Sequence, residues 1–463
     1  MNFEELNTDK RLEFIGAAVQ EFMNSKQMRD AAECALYYET DNPKIAKRRK
    51  TYVAAKGEAE DGTMRAEVAE NKFAANEKVA SSYFRDITDA KVQYLAGEGA
   101  DINALSEAED DIKAVKSLTN ALGDQLKRVE QECLTDALVY SRGYCYLQVI
   151  NGRLKLQQVP YCEVKPYRDR YNNLKAVLRY YRQGGKEYAE FHTAEKIYNF
   201  VRAEKSQDAK GWAFEGESPQ IITAIVYANG ETQEIGGKGW ARLPWFELKH
   251  NKNGTSSLTN SVKTMICCYD VVVSDFANNL IDMQDVFINI KDSYGSGMEY
   301  GEVVEMLKKF KVGEGVESVT TFEVPYQARE ALLNRLNTSI YKALRGVDLA
   351  QVAGGQRTAK EIKALYSDID LWADQAEWQI NDWVQDIIET AASYLGITLP
   401  PVKITNQRRV MFDEVEQMDA LARQKGIISD KTLFESHPLV ASAQAELERM
   451  AAQELDPAYS AGI

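Results

Sequence analysis

The sequence predicts an α+β chain, mainly helical, and three features carry that prediction. Apolar residues recur every three to four positions over long stretches before residue 140 and after residue 257. Between them, residues 141–250 alternate apolar and polar side chains around turn residues, the period of half-buried strands. Further on, a small, polar, glycine-containing segment separates two strong helical patterns, the second of them very long.

The first element reads as helix from Phe3 to about Tyr38, with Leu12, Ile15, Val19 and Phe22 on one stripe, and Asn42-Pro43 marks a turn. The basic run Lys47-Arg48-Arg49-Lys50 lies next to an acidic loop, Lys56 to Asp61, and reads as solvated surface. Residues 64–96 read as helix ending at Gly97, and another helix carries Leu126, Val129, Cys133, Ala137 and Val139. At Ser141-Arg142-Gly143 the period changes. The alternation that follows turns about Asn151-Gly152, a dipeptide suited to the left-handed backbone of a two-residue hairpin. Strand patterns continue through KAVLRYYRQ, AEFHTAEKIYNFVR and PQIITAIVYANGETQEI, whose tyrosines suit half-buried sheet surfaces.

From Ser257 the helical period returns, with Leu258, Val262, Met265, Tyr269, Val272, Phe276, Leu280 and Met283 on one stripe. A small α/β insert follows: strand-like VFINIK, helical EYGEVVEMLKKF, strand-like ESVTTFEV. Pro325 opens a second helix with Leu332, Leu336, Ile340 and Leu344 on one face. Residues 345–357 form the flexible segment. Thr358 and Glu361 then make a capping box, in which two side chains satisfy the first amides of a helix reciprocally. The apolar face of that helix runs through Ile362, Leu365, Ile369, Trp372, Ala376, Ile380, Trp383, Ile387, Ala391 and Leu395 to Gly396. At 1.5 Å per residue it is roughly 55 Å long. A Pro400-Pro401 turn, strand-like VKITNQ and two more helices complete the chain.

The composition is that of a globular protein, 44% apolar and 27% charged, with a net charge of −14. That sign argues against a protein built to grip DNA, because phosphate neutralisation drives such binding. It suits a surface past which DNA slides. There is no secretory leader and no apolar run long enough for a membrane helix, so the chain is expected to stay in the cytoplasm of the cell that makes it. The six cysteines (34, 133, 145, 162, 267 and 268) lack disulfide-scaffold or zinc spacing and are expected to be buried thiols. No phosphate-binding loop, nucleophile elbow or metal-protease motif occurs, so no catalytic residue, metal or cofactor is expected. Asp368, Asp370 and Asp374 read as a solvated face, and Trp372 and Trp383 as core.

Four phrases carry a resemblance. They are NKFAANEKVASSYFRDITDAKVQYLAGEG (Asn71 to Gly99), YCYLQVINGRLKLQQVPYCEVKPYRD from Tyr144, the run Ser257 to Phe287 containing YDVVVSDFANNLID, and GIISDKTLFESHPLVASAQAELERMAAQE near the end. In this order they resemble the portal (head-to-tail connector) proteins of tailed double-stranded-DNA bacteriophages, in the long-tailed branch infecting Gram-positive hosts. Where relatives often carry a serine-glycine phrase before the long helix, Gly354-Gly355-Gln356-Arg357-Thr358 stands here.

The resemblance implies a ring of identical subunits, usually about twelve, around a tunnel at one capsid vertex of the virion, assembled in the host cytoplasm. It implies a wing at 1–255, stem helices at 256–284 and 325–345, a clip at 285–324, a tunnel loop at 346–357, a spine helix at 358–396 and a crown at 397–463. Candidates for facing DNA are Arg345, Asp348, Gln351, Gln356 and Arg357 at the tunnel loop and Lys308, Lys309 and Lys311 in the clip. The implied partners are further copies of the chain, double-stranded DNA in the channel, the terminase large subunit, major capsid and scaffolding proteins, and a head-completion or adaptor protein, with no membrane. Two other readings remain at this point: another minor head or adaptor protein of a virion, and an enzyme with a pocket in the lobe at 141–250.

Overall fold

A computed structural model describes residues 3–49, 51–58, 64–70, 75–203, 211–228, 231–283, 289–290, 313–314, 326–348 and 359–408, with short pieces between 423 and 450. The chain divides into two compact units. One comprises residues 1–355 and 364–408, and the other 356–363 and 409–463. The described part of the second unit includes the short helix Asp430–Glu435.

The first unit is α+β, as the periodicities require. The expected single N-terminal helix is two, α1 (Thr8–Met23) and α2 (Lys26–Tyr38), because Ser25 stops one and caps the other by accepting from Met28 N. The expected helix over 64–96 is a larger correction. Residues 51–58 (β1) and 64–70 (β2) pair antiparallel, residues 75–82 are extended, and only Tyr83–Ala96 (α4) is helical. Between β1 and α1–α2 sits the short α3 (Pro43–Ala46). Strand β3 (Ala100–Ala104) and helix α5 (Glu109–Leu122) precede α6 (Gln125–Tyr140), the helix expected from Leu126 onward.

The β-rich lobe follows its alternation closely. Strands β4 (Gly143–Ile150) and β5 (Arg153–Val159) form the expected hairpin, with Asn151 at φ 52° and Gly152 at φ 73°. Next come β6 (Val164–Arg168), β7 (Leu174–Gln183), β8 (Lys186–His192), β9 (Lys196–Ala203) and β10 (Ala213–Pro219), a five-stranded antiparallel sheet in the order β10-β9-β8-β7-β6. Strands β11 (Ile221–Ala228), β12 (Glu231–Lys238) and β13 (Trp245–Leu248) join β4 and β5 in a second sheet. Helix α1 covers the first sheet, burying Ile15, Val19 and Phe22 against Leu178, Tyr180, Phe191, Tyr198 and Phe200.

Helices α7 (Asn260–Met283) and α8 (Tyr326–Leu344) are close to the two expected around the insert. Of the insert itself only Asn289–Ile290 (β14) and Gly313–Glu314 (β15) are described, paired parallel. Helix α9 (Ala359–Leu395) is 37 residues long and ends at Gly396 with φ 67°. Its stripe from Ile369 to Ala391 is buried, Trp372 and Trp383 included. Thr358 of the expected capping box and the C-terminal helix at 439–454, apart from two short fragments, lie outside the described residues. Strand β16 (Val402–Asn406) pairs antiparallel with β3, which ties residues 402–406 into the first unit. A core of Tyr37, Phe84, Ile87, Val139, Leu258, Val262, Ile266, Ile340 and Leu344 joins α2, α4, α6, α7 and α8. Four cysteines are buried as expected; Cys162 and Cys268 are exposed, and all six are free thiols. Among the described residues no helix is long and apolar enough to cross a membrane, and no cluster of side chains suits a metal ion.

Candidate functional site

The buried face of helix α7 runs from Val262 and Ile266 into Asp270, Ser274 and Asn278, each one turn after the last. All three are buried. Against them runs the extended segment 75–82, whose backbone pairs with these side chains instead of with a strand. Glu77 N donates to Asn278 Oδ1 at 2.7 Å, and Asn278 Nδ2 donates back to Glu77 O at 3.0 Å. Val79 N donates to Ser274 Oγ at 3.0 Å, and Ser81 N to Asp270 Oδ1 at 3.0 Å. Asn42 Nδ2 takes the other Asp270 oxygen at 2.8 Å. Burial raises the Asp270 carboxyl above its ordinary range, against the pull of these donors. A segment that pairs with no strand has to place its backbone polar groups somewhere, and here a helix face supplies the ladder.

The same segment leads to the end of α8. Tyr83 lies edge-on to Tyr269 of α7 and donates its hydroxyl to Asn337 of α8 at 2.7 Å. Asn337 Nδ2 donates to Asp348 at 3.1 Å, pinning the chain as it leaves the helix. Helix α8 closes with Arg345 at φ 53°, Arg345 N bonded to Lys342 O and Gly346 N to Tyr341 O, the pairing of a Schellman cap. A Cβ on Gly346 would lie 2.6 Å from Ile87 Cγ2, so only glycine fits there.

The Leu344 carbonyl, left over by that cap, accepts from Lys91 Nζ at 2.9 Å. Lys91 belongs to α4, is 4% exposed, and has its ammonium 4.3 Å from the ring centroid of Trp372 in α9. Burial first, and the Arg345 charge second, pull its pKa down to about 7. Trp372 Nε1 faces His250 Nδ1 at 3.4 Å, and His250 Nε2 meets Thr255 O at 2.7 Å. Both contacts are satisfied by the neutral Nε2–H tautomer. One buried lysine thus touches α8, before residues 349–358, and α9, after them.

The family model "Phage portal protein, SPP1 Gp6-like" matches residues 24–456. The chain belongs to this family. A relative named "Portal protein", from Clostridium phage phiCD119, is 24% identical over 404 residues, covering 82% of this chain and 85% of the relative. Among solved structures, the neck of an empty gene transfer agent particle computed with C6 symmetry overlays with a TM-score of 0.38 at 11% identity, covering 76% of this chain and 87% of that one. A native gene transfer agent virion gives 0.37 at 12% identity, with 76% and 86% covered. These overlays are too loose to bear on the details of the fold. The portal assignment rests on the family match, which spans all but the ends of the chain.

With the portal family established, the phrase Tyr269-Asp270…Ser274…Asn278 acquires a physical meaning. It is the ladder that holds residues 77–81, so two of the four phrases that suggested the family meet in space. Of the tunnel-loop candidates, Arg345 is exposed at the helix end and Asp348 is held by Asn337. Gln351, Gln356 and Arg357, and the clip lysines 308, 309 and 311, lie outside the described residues. The solvated reading of the α9 carboxylates needs correcting. Arg408 binds Asp374 at 2.5 Å, Glu377 at 2.8 Å and Asp370 at 3.3 Å, which fastens the chain after β16 back onto α9, while Asp368 stays exposed as expected. Sequence reading missed Lys91, His250 and Asn337. Polar residues at every fourth position of α7, 270, 274 and 278, were a usable signal for the ladder; a single lysine in α4 was not.

The enzyme reading of the β-rich lobe finds one acid–base pair, His192 Nε2 against Glu190 Oε2 at 3.2 Å, lining a cavity of about 230 Å³. Ser218, in the same cavity, is bonded by Asn199 and not by the histidine. Burial lowers the His192 pKa.

His250 makes the joint at Lys91 sensitive to acid. Burial, aided by the Lys91 charge, lowers its pKa to about 4. The unfolded chain takes up this proton first, so His250 contributes stability that is lost as pH falls from 6.5 towards 4, about 2–3 kcal/mol. Glu130 and Asp136, raised by burial to about 7, act in the opposite sense. The expected result is that wild type loses more stability than His250→Gln between pH 7 and 4.5 in parallel denaturant titrations. Equal losses would contradict the neutral tautomer.

Proposed function

We propose that this portal-family chain is one subunit of a ring of about twelve copies at a single capsid vertex. The ring is the conduit through which a terminase motor packages DNA, and it later retains and releases the genome. The observation that supports this reading is the joint at Lys91, which secures α8 before residues 349–358 and touches Trp372 of α9 after them. A loop spanning such a joint can move against DNA without loosening the helices that carry it. Residues 1–255 form the wing, 256–284 and 325–345 the stem, 285–324 the clip, 346–357 the tunnel loop, 358–396 the spine and 397–463 the crown. The clip, with Lys308, Lys309 and Lys311, faces the motor and then the head-completion and adaptor proteins, and the capsid and scaffolding proteins hold the rim.

The mechanism is electrostatic and mechanical. Copies each carrying −14 make an acidic annulus in which DNA finds little to stick to. Contacts are confined to the loop, where Arg345, Gln351, Gln356 and Arg357 meet backbone phosphates without reading sequence. Arg345 supports this assignment. It occupies a left-handed cap position that glycine fills more easily, at a cost of about 1 kcal/mol. A site that keeps arginine there is using its charge.

Deleting residues 349–355 is the test. Rings are expected to assemble normally, while the DNA packaged or retained per particle falls at least tenfold in a phage-complementation assay. Full packaging by the deletion variant would remove the loop from the mechanism.

A further inference from the structure

Helix α9 carries a second stripe that the buried core does not use. Residues 364, 368, 371, 375, 378, 382, 385 and 389 follow one another at steps of four and three, the spacing of a coiled-coil seam. All but Gln385 are exposed, and two of them are large and apolar, Leu371 at 62% and Trp378 at 76% exposure. Between residues 364 and 395 the helix has seven carboxylates and no lysine or arginine. Arg408 and Arg242 take Asp370, Asp374, Glu377 and Asp386. Asp368, Asp382 and Glu389 remain on the stripe around the two apolar residues.

Helix α8 shows the complementary pattern. Its exposed stripe is Ala328, Ala331, Arg335, Thr338 and Lys342, again at steps of three and four. The small residues leave room for a bulky neighbour, and the charged ones are all cations. Leu332, 42% exposed, borders it. Two stripes of one chain, matched in spacing and opposite in charge, suit a head-to-tail contact between copies, in which each copy offers both faces.

We propose that the Leu371–Trp378 stripe of one copy docks on the Ala328–Lys342 stripe of the next, with Trp378 as the anchor. This rests on the ring reading above and deepens it by naming the surfaces. A tryptophan inserted among small residues and ringed by ion pairs is the composition of an interface hot spot. The carboxylates and cations around it select the partner face and disfavour like-on-like pairing.

The experiment is assembly of the full chain, measured by mass photometry across a concentration series, with circular dichroism confirming that each variant is folded. Trp378→Ala is expected to weaken assembly at least tenfold. Asp382→Lys and Arg335→Glu are each expected to weaken it and to make it more salt-sensitive, and the double variant to recover most of the loss. Wild-type rings with Trp378→Ala and Arg335→Glu assembling equally well would overturn the seam while leaving the ring. A wild-type chain that stays monomeric at every concentration would overturn both. Rings that form normally in all variants but fail to pass DNA would place the α8 cations in the channel instead, which also rejects the seam.

Discussion

Asp270→Ala is expected to cost about 3 kcal/mol and to release residues 77–81 from helix α7. The carboxylate accepts from Ser81 N and from Asn42 Nδ2, and Asn42 is itself buried. Alanine takes the acceptor from the half-buried Ser81 amide and leaves the buried Asn42 amide without its partner, a penalty that exceeds the worth of the bond itself. Burial already raises the Asp270 carboxyl, so Asp270→Asn, which keeps one acceptor without the charge, should lose about half as much. Hydrogen exchange reads the effect locally. The amides of Glu77, Val79 and Ser81 should exchange faster in the alanine variant, with Ser81 leading. Unchanged protection at Ser81 would show that the helix face is not what holds the segment.

Gly143→Ala is expected to cost still more, over about 4 kcal/mol, and to prevent the β-rich lobe from folding. The chain passes from α6 to β4 through Ser141 at φ 111°, and Gly143 then comes close to the helix it has just left. An added Cβ would lie 2.0 Å from the Cys133 carbonyl oxygen and 2.6 Å from the carbon atoms beside it. These are backbone atoms, so no rotamer change relieves the clash. Gly152→Ala is the control. Its Cβ would meet nothing within 4 Å, and its φ of 73° costs only about 1 kcal/mol. Soluble yield and thermal unfolding should separate the two variants clearly; a Gly143→Ala protein as stable as wild type would refute the close approach.

Features governed by local chemistry were legible in the sequence. The Asn151-Gly152 hairpin and the glycine stop of α9 each depend on a few neighbouring residues, and each stands where the pattern put it; α7 is a helix as expected, but beyond Val262 its buried face runs through Ile266, Asp270, Ser274 and Asn278 and leaves Leu280 of the expected stripe exposed. The failures have a common cause. Residues 64–82 are rich in alanine, glutamate and lysine and favour helix locally, yet 64–70 pair with 51–58 and 75–82 bond to side chains about 190 to 200 positions away. Propensity was overruled by partners that no local window contains. Asp370 and Asp374 read as solvated for the same reason, since their arginine comes after the helix ends, at position 408. The joint was half visible. Arg345 and Asp348 stood out as the edge of a flexible segment, whereas Lys91 is an ordinary helical lysine until Leu344 and Trp372 are folded around it.

Cryo-electron microscopy of the purified full-length chain tests the central claim most directly. Closed rings of about twelve subunits, with an open centre wide enough for duplex DNA and the α7–α8 pairs around it, are the predicted result. Particles that are only monomers, or oligomers with no central opening, would contradict it.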